Sequence, residues 1–128
     1  MNVNQRTVSA NEYKNVTEAA TKYVEALRTG NVDMLSDVFH KDCVTYGTVN
    51  GELMGGASNP TADFIQNYGK SPEIIFHIDI LDITPTTAVV RIVMEKDAVG
   101  SDCNDYLSFI KLDKRWAVIS KIFHQFEK

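Results

Sequence analysis

Glu73-Ile74-Ile75-Phe76-His77-Ile78-Asp79-Ile80-Leu81-Asp82-Ile83 carries apolar side chains at both odd and even positions. Read as a strand, it places Ile74, Phe76, Ile78 and Ile80 on one face and Ile75, His77, Asp79 and Leu81 on the other. A sheet with one wet face needs only the first set, so this strand belongs to a sheet covered on both sides. Downstream, Thr86 to Val99, Asn104 to Leu112 and Arg115 to Phe126 are also rich in Ile, Val, Phe and Thr, and Thr84-Pro85, Gly100-Ser101 and Asp113-Lys114 break them. Four long strands with short connections form an antiparallel meander. In the third of them Asp105, Leu107, Phe109 and Lys111 oppose Tyr106, Ser108, Ile110 and Leu112, so it too has apolar residues on both faces.

Upstream of the strands the periodicity is helical. Tyr13, Val16, Ala20, Tyr23, Val24 and Leu27 mark one amphipathic helix stopped by Thr29-Gly30. Asn31 caps a second, shorter helix through Val32, Leu35, Val38 and Phe39. Val44 to Gly56 reads as a hairpin turning at Asn50-Gly51. A third helix opens at Asn59-Pro60, shows Phe64, Ile65 and Tyr68 on one side and ends at Gly69. Helices at the front and strands behind give an α+β domain whose helices cover one face of a curved sheet. Three helices shield only one side, so a homodimer packing sheet against sheet is the simplest cover for the other.

Composition narrows the function classes. With 128 residues, 44% hydrophobic and 23% charged, the chain reads as one domain over residues 1–128, residues 1–10 being a loosely ordered N-terminal segment. Apolar runs stop at four residues, against about 20 for a bilayer span, and Met1 to Ala10 has no apolar signal region, so a cytoplasmic protein with no membrane partner is expected. A net charge of −4 without a Lys/Arg run excludes the usual nucleic-acid footprint. Cys43 and Cys103 lack C-x-x-C spacing and are expected as reduced thiols. No metal site is expected: His40-Lys41-Asp42-Cys43 lies where a helix ends, and His77 with Asp79 is too few ligands. Asp102-Cys103-Asn104-Asp105 reads as a polar turn entering a strand.

Several strings resemble the NTF2-like superfamily, the cone-shaped fold of ketosteroid isomerases, SnoaL-type cyclases and small proteins named for lumazine binding. They are Tyr23-Val24-Glu25-Ala26-Leu27-Arg28-Thr29-Gly30-Asn31 running into Val38-Phe39-His40-Lys41-Asp42, Gly55-Gly56 before the third helix, and Asp105-Tyr106-Leu107 leading to Asp113-Lys114-Arg115-Trp116-Ala117-Val118. The closing stretch through Ser120-Lys121-Ile122-Phe123-His124 looks most like the lumazine-binding branch, whose members are largely of undefined function. The resemblance spans nearly the whole chain and implies three N-terminal helices on a strongly curved antiparallel sheet, with an apolar pocket at the wide end of the cone.

The resemblance also proposes site residues. Tyr23 falls where the isomerases keep an oxyanion-donating tyrosine, and Asp105 near their second donor, a protonated aspartic acid that is a standard example of a carboxyl kept neutral by an apolar site. Leu107 and Phe109 share a strand face with Asp105 and extend that setting. The isomerases' proton-shuttling aspartate has no counterpart in Val44-Thr45-Tyr46-Gly47, leaving His77 and Tyr46 as substitute proton carriers. The expected ligand site is therefore Tyr23, Tyr46, Asp105, Leu107 and Phe109, with Tyr23, Asp105 and His77 as catalytic candidates and no cofactor. Arg91 and Lys121 are each either a surface cation or a pocket charge, because strand phase does not settle their side. Three functions follow: binding of an uncharged or weakly acidic ring-shaped metabolite, an isomerase, dehydratase or cyclase reaction, or dimerisation or the holding of a partner protein around a pocket filled by side chains.

Overall fold

A computed structural model describes residues 6–56 and 60–128. Helix α1 (Ala10–Thr29) buries Val16, Ala20, Tyr23, Val24 and Leu27, the stripe its periodicity requires, and Gly30 closes it in the left-handed conformation at φ 71°. It starts a turn ahead of the apolar repeat, where the buried Glu12 accepts from the Lys111 ammonium. Helix α2 (Val32–Leu35) is capped by the Asn31 side chain, which accepts from Met34 N–H. It ends well before Phe39, the expected limit. The Val38 carbonyl accepts from Val118 N–H, which pulls the chain into an extended path at Phe39.

Strands β1 (Phe39–Val49) and β2 (Glu52–Gly56) form the expected hairpin, with Asn50 and Gly51 both at positive φ, 53° and 77°. Helix α3 (Pro60–Tyr68) ends at Gly69, φ 81°; its expected cap, Asn59, lies outside the described residues. The meander follows as β3 (Ile75–Ile83), β4 (Thr87–Glu95), β5 (Cys103–Leu112) and β6 (Arg115–Gln125). Strand β4 stops short of Val99 because Lys96 turns at φ 64° and the Asp97 carboxylate accepts from the N–H groups of Val99 and Ser101.

The six strands run in the order β2-β1-β6-β5-β4-β3. Here the expectation of an antiparallel sheet needs one correction, since β1 and β6 pair in parallel. The cause is the path through α3, which carries the chain from β2 to the opposite edge, so that the meander returns β6 alongside β1. Helix α1 lies across the inner face of the sheet, over Ala88, Val90, Ile92 and Met94 of β4, Leu107 and Phe109 of β5, and Trp116 and Val118 of β6. The outer face carries a row in register, Tyr46, Ile122, Tyr106, Arg91 and Asp79. Val44, Ile75, Val89 and Ile122 stand exposed on that face, Ile122 at 58%.

Candidate ligand pocket

The pocket exists because β6 departs from simple alternation. Trp116 and Val118 point into the core, and strict alternation would send Ser120 and Ile122 after them and turn Lys121 outward. Between β5 and β6, however, Ser108 pairs with Ser120 while Phe109 pairs with Val118, so Ile119 is an extra residue. This bulge resets the phase, and Lys121 and Phe123 face inward while Ile122 is exposed. Gly47 of β1 sits opposite Phe123, and a Cβ there would stand 2.4 Å from the Phe123 ring, so only glycine leaves room for that wall.

The resulting cavity, of about 90 Å³, lies between α1, α3 and the inner ends of β4, β5 and β6. Leu27, Phe64, Ile74, Met94 and Phe123 give it apolar walls. At its base stands a connected set of polar groups. Tyr23, 1% exposed, donates its hydroxyl to Asp105 Oδ2 at 2.5 Å. Lys121 Nζ donates to Tyr23 Oη at 2.8 Å and to Thr61 Oγ1 at 2.7 Å, and lies 3.7 Å from Asp105 Oδ2. The ammonium also sits over the rings of Tyr23 and Phe123, 4.8 and 5.4 Å from their centroids. The Tyr23 ring is held in turn by Phe39, centroid to centroid 5.4 Å.

Burial, then the charge of Asp105 and the hydrogen bond to it, push the Tyr23 hydroxyl well above its ordinary range, so it remains a phenol. Cys103, on the same wall, is pushed up to about 12 by burial and then by Asp105, and its thiol stays protonated. Two buried charges 3.7 Å apart are a poor stability device, because each ion's desolvation costs several kcal/mol, about what their attraction returns. A Lys–Tyr–Asp array placed at the base of an apolar cavity marks it as the candidate functional site.

The structure does not gather all the sequence-derived candidates here. Tyr23 and Asp105 meet at the cavity. Tyr46 lies on the outer face of β1, paired with Ile122 and 43% exposed. His77 is also on the outer face, its side chain 71% exposed and hydrogen-bonded to Asp79 at 2.9 Å, while Arg91 holds the other Asp79 oxygen at 2.8 Å. Neither borders the cavity, which corrects their assignment as proton carriers. Leu107 and Phe109 do share the inward face with Asp105, yet they are sealed in the core beneath α1 and do not line the cavity. Thr61 and Phe64 on α3 were not foreseen as site residues, and of the two cations left open between surface and pocket, Lys121 lines the cavity while Arg91 pairs with Asp79 on the outer face. Among the described residues no cluster of three or more His, Cys, Asp or Glu could hold a metal, and no helix is long and apolar enough to cross a membrane.

A curved sheet wrapped on a long helix, with a pocket opening beside its first helix, defines an NTF2-like protein. The family described as "Putative lumazine-binding" matches residues 11–124, and the chain belongs to that family. Aldolase FrzH of a Cladobotryum species is 35% identical over 121 residues, covering 94% of this chain and 97% of that protein. Two solved NTF2-like proteins of unknown function superpose closely. The one from Shewanella baltica OS155 has a TM-score of 0.86 and 28% identity over 96% of this chain and all, 100%, of that one. The one from Methylobacillus flagellatus KT has a TM-score of 0.87 and 26% identity over 94% and 97%.

Proposed function

We propose that the chain binds a small, ring-shaped carbonyl compound in this cavity and catalyses cofactor-independent enolate chemistry on it, of the isomerase, dehydratase, cyclase or aldol type. The observation that carries the reading is the buried Lys121–Tyr23–Asp105 array at the base of apolar walls. The size of the cavity suits one small ring, since drug-sized ligands occupy about 300 Å³ or more. Asp105 accepts a hydrogen bond from Tyr23 and faces the Lys121 ammonium, so the groups around it donate to its oxygens, the placement of a proton acceptor for a ligand held in the cavity. In this reading the carbonyl oxygen lies against Lys121 Nζ, Asp105 removes the proton from the adjacent carbon, and the enolate oxygen gains charge beside the ammonium, which is already in place. Tyr23 fixes the orientation of both ions. The aldolase name of the FrzH relative, at 35% identity, supports enolate chemistry.

The test is exchange of the α-protons of cyclohexanone and cyclohexane-1,3-dione in D₂O, followed by NMR. Exchange faster than in buffer, reduced at least about 100-fold in Asp105→Asn, is expected. Exchange at the buffer rate would leave the binding reading, which the family's description favours; Asp105→Asn would then change affinity alone.

For the outer face we propose a second copy of the chain. Val44, Tyr46, Val89 and Ile122 form an exposed apolar surface centred on the sheet, with Arg91 and Asp79 paired at its side. Two free thiols and the acidic balance fit a cytoplasmic protein that binds neither nucleic acid nor membrane.

A further inference from the structure

We propose that Lys121 bonds covalently to the substrate, its amine condensing with an aldehyde or ketone carbon in the cavity to form an imine. The inference rests on the carbonyl-site reading above and goes beyond it by naming the bond and the residue. Lys121 is 6% exposed, yet it borders the cavity, so a molecule held there meets Nζ without crossing solvent.

An ammonium must lose a proton before it can attack, and the array supplies the route. Lys121 Nζ donates to Tyr23 Oη at 2.8 Å, and Tyr23 donates to Asp105 Oδ2 at 2.5 Å. If each proton moves one step along this chain, the charge pair becomes a neutral amine and a neutral carboxylic acid, with Tyr23 still a phenol. The transfer takes two charges out of apolar surroundings, and the desolvation relieved offsets part of the attraction lost. Thr61 Oγ1, 2.7 Å from Nζ, steadies the nitrogen without supplying charge.

The bond changes then balance within the site. The nitrogen lone pair forms the C–N bond, the carbonyl π electrons pass to oxygen, and that oxygen takes the proton held by Asp105. The nitrogen then expels this hydroxyl, which leaves as water with a second proton, the one shed by the nitrogen on bonding and returned through Tyr23. The net change is carbonyl plus ammonium to iminium plus water. The iminium acidifies the neighbouring C–H more than the parent carbonyl does, and Asp105, again a carboxylate, receives that proton. Cys103, held as a thiol, does not compete for the carbonyl carbon.

The experiment uses the whole chain, cyclohexanone and sodium cyanoborohydride, with labelling at each lysine quantified by peptide mass spectrometry. Lys121 should be alkylated at least about tenfold faster than Lys14, whose side chain is 71% exposed, and Tyr23→Phe should erase that advantage while leaving Lys14 unchanged. Labelling of Lys121 no faster than Lys14 in the wild-type protein overturns the proposal without any variant. Deuterium exchange of the same ketone, run in parallel, separates the two readings. Exchange without a Lys121 adduct overturns the covalent step alone, whereas absence of both removes the carbonyl site as well.

Discussion

Replacing Lys121 by methionine removes the only positive charge that lines the cavity among the described residues and keeps most of its volume. At 3.7 Å, with an effective dielectric constant near 20, the attraction to Asp105 that is lost amounts to about 4 kcal/mol. The hydrogen bonds to Tyr23 and Thr61 go with it. Against this stands the relief of the ammonium's own desolvation, several kcal/mol in magnitude, while Asp105, 3% exposed, is left without its counter-ion. Breaking a buried pair from one side costs about 3–5 kcal/mol, whereas replacing both ions is often near neutral. Lys121→Met should therefore be destabilised by about 3 kcal/mol, and Lys121→Met/Asp105→Leu should recover most of the loss. Urea unfolding followed by the fluorescence of Trp116 gives both values and, with Asp105→Leu, closes a double-mutant cycle. A single-variant cost under about 1 kcal/mol, with coupling below about 0.5 kcal/mol, would refute the buried ion pair on which the site rests.

Other consequences follow from the same geometry. Gly47→Ala drives a methyl into the Phe123 ring and should cost about 1–3 kcal/mol, read as a fall in thermal midpoint, while Gly51→Ala, whose Cβ would meet nothing within 4 Å, serves as a control that pays only for its positive φ. Although burial acts to raise it, Glu12 is held below its ordinary 4.5 by hydrogen bonds from Lys111 and Asn15 and by the Lys111 charge. Its contribution is complete above pH 4.5 and is lost as the pH falls through the lower folded value, so Glu12→Gln should flatten the decline of stability in acid. Equal acid sensitivity in the variant would count against that role. Ile122→Glu, on the exposed centre of the outer face, should turn a dimer into a monomer by light scattering without lowering α-proton exchange; an unchanged mass would remove the sheet-face dimer.

The sequence made the scaffold legible because its signals are local. Asn50-Gly51 demanded two positive φ angles and fixed the first hairpin, and the stripe from Val16 to Leu27 fixed the buried side of α1. It also brought Tyr23 and Asp105 forward as a pair through resemblance, and they lie 2.5 Å apart. What stayed hidden depends on phase. Ile119 gives no sign in the sequence that it is an extra residue, yet it decides that Lys121 faces inward. Strands with apolar residues on both sides likewise cannot say which way His77 and Tyr46 point, and both turned out to face away from the cavity. The parallel β1–β6 pair was equally unreadable, because it depends on where α3 delivers the chain.

The cavity at Tyr23, Asp105 and Lys121 is, in this proposal, a site for a small carbonyl ring. A crystal structure of the protein soaked with cyclohexane-1,3-dione tests it most directly. The ring is expected between Leu27, Phe64 and Phe123 with one oxygen within hydrogen-bond distance of Lys121 Nζ, or with the ring carbon joined to that nitrogen. A cavity closed by its own side chains, with Lys121 and Asp105 engaged only with each other and the diketone absent or elsewhere, would contradict it.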